Sequence, residues 1–306
     1  MDSQQQTITS KSGSKGNLMI IAATIIWGAG MVAQRGGMNH VGPFTFNAAR
    51  FFIGGTMALI PTLFFLLKGN AGSSGISKST FKAGIICGTI LCAAINLQQF
   101  GLLTTSVANA SFITALYVII VPIISLVMFK KKASAFVWIG VAIALVGMYF
   151  MSFAGGIELV VGDILVLLCA FGFAVQILVI GHFSPKHNVL ALACVQFYTV
   201  SVVSLVLGVI FETPSFYGLI SGAPYVLYTG VLSSGVAYIL QMTAQKTTAP
   251  TIAAVLFSFE SVVAAVTGWL VLNQYLTPRR LLGCALILIA ILIAQLPAKE
   301  KQEAEP

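Results

Sequence analysis

Apolar residues in this chain run in blocks of about twenty, separated by short polar gaps, rather than alternating as they would on a surface helix or a half-buried strand. A helix rises 1.5 Å per residue, so about 20 apolar residues cross the hydrocarbon core of a bilayer. Read on that rule, the pattern predicts ten membrane-spanning helices, at 17–34, 43–67, 81–102, 106–129, 134–153, 160–181, 188–211, 223–244, 250–272 and 279–296. Most begin or end at a break: Pro43, Lys68, Lys130-Lys131-Lys132, Gly155-Gly156, Pro185-Lys186, Pro214, Lys246, Pro250, Pro278 and Pro297. The longest gap, 68–80, is rich in Gly and Ser and reads as a flexible connector. No gap is long enough to fold as an appended catalytic domain. Residues 1–16 are expected to form a polar tail ahead of a retained first helix rather than a cleaved leader, and 297–306 a second short tail.

Composition fixes the class. Hydrophobic residues make up 58% of the chain and charged residues 8%, against roughly 25% charged in a soluble domain. So few charges cannot solvate a protein surface, whereas lipid can cover it. The expected fold is an all-α integral membrane protein with the bilayer as its solvent.

The net charge of +8 is not a nucleic-acid patch, because its lysines and arginines are scattered through the gaps. Their distribution sets orientation. With the N-terminus inside, the cytoplasmic edges carry Lys11, Lys15, Lys68, Lys78, Lys82, Lys130, Lys131, Lys132, Lys186, Lys246, Lys299 and Lys301, while the outer edges carry Arg35, Arg279 and Arg280. Both tails then lie in the cytoplasm, which requires an even number of spans in the plasma (inner) membrane.

The two halves resemble each other. Trp27-Gly28 in the first predicted span matches Phe171-Gly172 in the sixth, and Arg50-Phe51-Phe52 in the second matches Gln196-Phe197-Tyr198 in the seventh. In the fourth and ninth, Ala110, Ala115, Pro122 and Ser125 fall on Ala249, Ala254, Ser261 and Ala264, and Gly140 pairs with Gly283 after a longer loop in the second half. Two repeats are expected, 17–153 and 160–296. Five spans per repeat is an odd number, so the second repeat is inserted upside down relative to the first. Inverted repeats in secondary transporters enclose a substrate site near the midplane.

Several stretches resemble the EamA family of the drug/metabolite transporter superfamily: Trp27-Gly28-Ala29-Gly30, Gly42-Pro43-Phe44-Thr45-Phe46-Asn47-Ala48-Ala49-Arg50-Phe51, Phe259-Glu260-Ser261-Val262-Val263-Ala264-Ala265, and Leu276-Thr277-Pro278-Arg279-Arg280-Leu281-Leu282-Gly283. Asn273-Gln274 stands where the family often has Gly-Glu, and Ser261 where it often has Pro. The resemblance implies a ten-helix inverted-repeat carrier, in a family whose characterised members often export amino acids or other metabolites.

Ionisable groups in hydrocarbon are costly and usually face a cavity or each other. Two sit deep inside predicted spans, Arg50 and Glu260. Three readings stand open: a structural ion pair, a substrate path in which Arg50 holds a carboxylate and Glu260 an amine, or proton coupling through Glu260 alone. Asn47, Asn96, Gln99 and Gln196 are candidate polar contacts for a solute, and Trp27, Tyr117 and Tyr238 candidate aromatic walls. Interhelical hydrogen bonding and packing are the competing roles. The five cysteines fall in apolar runs without metal-ligand spacing, and His40, His182 and His187 lie in or beside loops, so no metal or other cofactor is expected. A nucleotide loop of the form GxxxxGK[ST] and an HExxH motif are both missing, and one deep acid without a deep histidine does not make an intramembrane enzyme. The expected partners are a small-molecule solute and the lipid bilayer. Amino-acid or metabolite export leads, with drug efflux, uptake, or a non-transporting receptor as alternatives; the oligomeric state is left open.

Overall fold

A computed structural model describes residues 2–68, 76–130, 133–152, 160–272 and 277–296. Most of the Gly/Ser connector, Lys131-Lys132, Gly155-Gly156, Asn273-Gln274, Leu276 and the 297–306 tail lie outside them. Among the described residues the fold is helical and without strands: α1 (Asp2–Gly37), α2 (Pro43–Leu67), α3 (Lys78–Thr104), α4 (Val107–Thr114), α5 (Tyr117–Phe129), α6 (Ala135–Ser152), α7 (Val161–Phe183), α8 (Val189–Phe211), α9 (Phe216–Ser221), α10 (Ala223–Leu227), a π-helical stretch Tyr228–Ala237, α11 (Tyr238–Ala244), α12 (Pro250–Phe257), α13 (Phe259–Leu272) and α14 (Pro278–Ala294). Starts follow local chemistry. Ser77, Ser106, Asn188 and Thr277 each accept a backbone N–H of the first turn, and proline opens α2, α12 and α14, where its missing N–H costs nothing.

Two expectations change, and the span count is met in part. The polar residues expected as a tail continue α1 back to Asp2, although its apolar part is Ser14–Gly37. Among the described residues, eight helices rather than ten are long and apolar enough to span a bilayer. Of the two remaining predicted spans, 134–153 has its apolar stretch at Ala135–Phe150 and 279–296 forms the 17-residue α14, about 25 Å at 1.5 Å per residue. Finally, the fourth and ninth spans are each broken, α4 from α5 at Ala115-Leu116 and α12 from α13 at Ser258.

That break corrects the register of the repeat. α4 and α12 are each eight residues long and each follows a Thr-Thr pair, Thr104-Thr105 and Thr247-Thr248. Aligning their first residues sets Tyr117 against Glu260, one helical turn from the ungapped sequence match. It also meets Gly140 against Gly283 with no longer loop. Aligning the ends of α1 and α7 sets Trp27 against Phe173 rather than Phe171, which is exposed. The Arg50-Phe51-Phe52 match to Gln196-Phe197-Tyr198 keeps its register, since α2 and α8 start in step.

In this register the packing has pseudo-twofold symmetry. α2 packs on its mate α8 and α6 on its mate α14, while α3 on α7 mirrors the helix from Ala223 to Ala244 on α1. A residue beside a twofold axis meets its own mate. Phe51 meets Phe197 at 5.9 Å between ring centroids, and Phe52 meets Tyr198 at 5.9 Å. Side chains such as Leu63, Val202, Leu205 and Val209 project outward, and lipid covers them.

Candidate functional site

Glu260 sits at the start of α13, just past the break at Ser258, and Tyr117 at the start of α5, just past the break at Ala115-Leu116. A broken span lets one side chain at each break face the interior rather than the next helical turn. Both residues open onto one cavity, lined by side chains of both halves. Its wall is built largely of symmetry mates: Trp27 with Phe173, Thr114 with Phe257, Tyr117 with Glu260 and, when the register of the Thr-Thr pairs is carried back without a gap into α3 and the helix before Ala244, Ile95 with Tyr238 and Gln98 with Gln241. Gln34, Arg50, Gln176, Ile177 and Ser233 complete it.

The charges break the symmetry. Arg50 comes from the first half and is 1% exposed; Glu260 comes from the second and is 9% exposed. They do not form the ion pair that one reading expects. The Arg50 Nε donates instead to Asn47 Oδ1 at 2.9 Å, and its guanidinium lies 5.0 Å from the Phe51 ring centroid and 5.7 Å from that of Phe46. Asn47 Nδ2 donates to Asn96 Oδ1 at 2.9 Å, and Asn96 Nδ2 donates to Cys92 O at 2.8 Å and Ser204 Oγ at 3.1 Å. This chain of amides fixes one edge of the guanidinium. The Nη2 atom is buried without a partner.

Other polar atoms are also unfilled. Gln241 Nε2 donates to Gln176 Oε1 and to Gln245 Oε1, both at 3.0 Å, while Gln241 Oε1, Gln176 Nε2 and Gln34 Oε1 are buried and unpartnered. Buried polar groups without partners are rare and costly. The aromatic wall is held from behind. Trp27 Nε1 donates to Ser233 O at 3.1 Å, and the Trp27 ring lies 4.8 Å from Tyr238 and 5.6 Å from Phe257. The backbone carbonyl of Ser233 belongs to the π-helical stretch, a widening often found at functional positions.

Of the candidates from sequence, Glu260, Arg50, Trp27, Tyr117 and Tyr238 share this cavity. Asn47 and Asn96 stand behind it as the tether of Arg50. Gln99 lies outside the wall and donates to Gln34 O at 3.4 Å, and Gln196, the mate of Arg50, is fully buried outside it with both side-chain atoms unpartnered. The sequence candidates omit Thr114, Phe173, Ser233 and Phe257; Gln34, Gln98, Gln176 and Gln241 stand out in the sequence as polar residues within spans but are not assigned to the site. The correct repeat register signals four of these as mates: Phe173 of Trp27, Phe257 of Thr114, and Gln98 of Gln241.

Two like helical halves around one polar, charge-bearing cavity fit the plan of a membrane transporter. The chain matches the EamA-like transporter family twice, over residues 14–153 and 160–295, and belongs to it. It is 34% identical over 92% of its length to an uncharacterized transporter of Archaeoglobus fulgidus, covering 85% of that protein. To the uncharacterized transporter YoaV of Bacillus subtilis it is 25% identical, covering 90% of this chain and 94% of the relative. A crystal structure of a protein 19% identical in sequence matches with a TM-score of 0.75 over 93% of this chain and 98% of that chain, which supports the fold.

Proposed function

We propose that this transporter is a ten-span secondary carrier, built of inverted halves 17–153 and 160–296, that exports an amino acid or related small polar metabolite by alternating access. Both tails lie in the cytoplasm and the body in the plasma membrane. Arg50 receives the carboxylate of the solute, Glu260 its amine, and Trp27, Tyr117 and Tyr238 enclose its apolar part. Asn47 and Asn96 hold Arg50 in position. Gln99 and Gln196 act in packing behind the wall.

The observation that carries this reading is a buried cation and a buried acid on one cavity, drawn from opposite halves and not bonded to each other. Two buried charges that do not pair with each other are costly, and a zwitterionic solute offers both counter-charges at once. Alternating access follows from the near-equivalence of the halves.

Purified protein in lipid vesicles tests the proposal against labelled amino acids and their amine-only and carboxylate-only analogues. Zwitterions are expected to move faster than either analogue. If folded protein moves no solute of the panel, the carrier reading falls. Reporter tags inserted in 153–159 and placed at the carboxyl end are expected on opposite faces of the membrane; tags on the same face overturn the inverted architecture.

A further inference from the structure

Each end of the molecule carries a contact between the halves, and the two contacts are symmetry mates with different chemistry. At one end Thr105 Oγ1, beside α4, donates to Asp163 Oδ1 at the start of α7. At the other, Thr248 Oγ1, beside α12, donates to Asn17 Oδ1 in α1 at 3.4 Å. The register that pairs Tyr117 with Glu260 also pairs Thr105 with Thr248, and the one that pairs Trp27 with Phe173 also pairs Asn17 with Asp163. The glycine packing agrees. A Cβ on Gly162 would meet the Gly101 carbonyl oxygen at 2.5 Å, and one on Gly16 would meet the carbonyl oxygen of Ala244, the mate of Gly101, at 3.2 Å.

The two clasps are not equal. Asp163 is 5% exposed, and its second carboxylate oxygen accepts Val160 N at 3.1 Å, so the charge is held in a fixed pose. A hydroxyl bonded to a carboxylate makes a shorter and stronger hydrogen bond than one bonded to a neutral amide. Arg35, in the same half as Thr105, donates to Leu102 O and Thr105 O and so holds Thr105 in place for the clasp. At the other end Asn17 is neutral, its bond to Thr248 is long, and its Nδ2 is committed to Gln295 Oε1 at 3.0 Å. On the alternating-access carrier proposed above, each clasp lies where the halves part when that face opens.

We propose that Asp163 and Asn17 are matched gate-positioning residues, and that their chemical difference biases the resting carrier toward closure at the Asp163 face and opening at the Asn17 face.

The test reads conformation without flux. In full-length protein with the native cysteines replaced, single cysteines are placed at Gln34, close to the Arg35–Thr105 contact, and at Ile177, whose carbonyl accepts Gln245 Nε2 near the Thr248 end. Their reaction rates with a membrane-impermeant maleimide are measured in sealed vesicles of both orientations. Asp163→Asn, which makes the two ends alike, is expected to raise the rate at position 34 about fivefold and lower it at 177, the ratio that a bias of about one hydrogen bond produces. Asn17→Asp is expected to do the reverse. Thr105→Val set against Thr248→Val asks the same question without touching the acid, and decides it where Asp163→Asn fails to reach the membrane. Unchanged rates, or rates that rise together at both positions as general loosening would produce, overturn the proposal. Flux is measured separately in protein that keeps Gln34 and Ile177: intact zwitterion flux there without these shifts removes the clasps alone, and shifted rates without flux of any solute remove the carrier reading alone.

Discussion

Tyr117 and Glu260 occupy the same place in the two halves, and present a phenol and a carboxylate to one shared cavity. The halves are therefore alike in frame and unlike in charge. Glu260→Gln keeps the volume and removes only the charge. A hydrogen bond to a charged group contributes roughly 1.5–3 kcal/mol, so the transport rate at limiting solute is expected to fall about tenfold or more. Tyr117→Phe, which deletes one neutral hydroxyl worth about 1 kcal/mol, is expected to lower it about fivefold. Flux of a labelled zwitterion into vesicles compares the two directly. Equal losses would mean that the carboxylate does nothing a phenol does not.

Arg50 and Glu260 share the cavity without sharing a bond, so their contributions to folding are expected to add. Arg50→Gln installs the residue that its mate Gln196 already is. Combined with Glu260→Gln, it is expected to change unfolding free energy by the sum of the single effects within about 0.5 kcal/mol. Thermal or denaturant unfolding of the four proteins in one detergent gives the cycle. A coupling above about 1 kcal/mol would restore the ion-pair reading.

Asn47 touches Arg50 and lies outside the cavity wall. Asn47→Ala therefore frees the guanidinium to rotate while leaving the solute-facing surface in place. The expected result is a rise of about fivefold in the half-saturating concentration of a carboxylate-bearing solute, with little change for an amine-only analogue, since one hydrogen bond is worth about 1 kcal/mol. Losses of equal size for both solutes would place Asn47 in general packing.

Much of this is legible in the sequence, for a physical reason. Lipid demands long apolar helices, and a buried charge in such a helix needs a function or a partner, so span positions and the pair Arg50 and Glu260 stand out of the sequence. What stayed hidden depends on register. Apolar helices resemble one another at many offsets, so Ala110 and Ala115 aligned plausibly with Ala249 and Ala254 although the breaks at Ala115-Leu116 and Ser258 place the true match one turn away. The Thr-Thr pairs before α4 and α12 carried the right answer, but two threonines are a weak mark beside a row of alanines. Once the register slipped, the mates of Trp27 and Thr114 could not be found. Nor does sequence reveal that Asn47 would reach Arg50 before Glu260 could, since that choice is made by side-chain reach on a formed helix.

The contact of α6 with α14 offers the sharpest check of the symmetry itself. With Gly140 matched to Gly283, Gly147 falls on Ala290, and the two contacts become one contact seen twice: a Cβ on Gly140 would lie 3.0 Å from Ala290 O, and one on Gly147 would lie 2.8 Å from Gly283 O. Backbone oxygens in a packed helix cannot swing aside as side-chain tips do. Gly140→Ala and Gly147→Ala are each expected to destabilise by about 1–3 kcal/mol through overpacking, after a gain of about 1 kcal/mol in helix propensity has offset part of the strain. Gly30→Ala is the control, because its added methyl would meet nothing closer than 3.7 Å, and it is expected to be neutral or stabilising. Melting temperatures in one detergent read all three. Similar losses for positions 140 and 147 with none at 30 follow from two helices meeting across a twofold axis. A silent substitution at either of the first two would mean that α6 and α14 do not pack as mates.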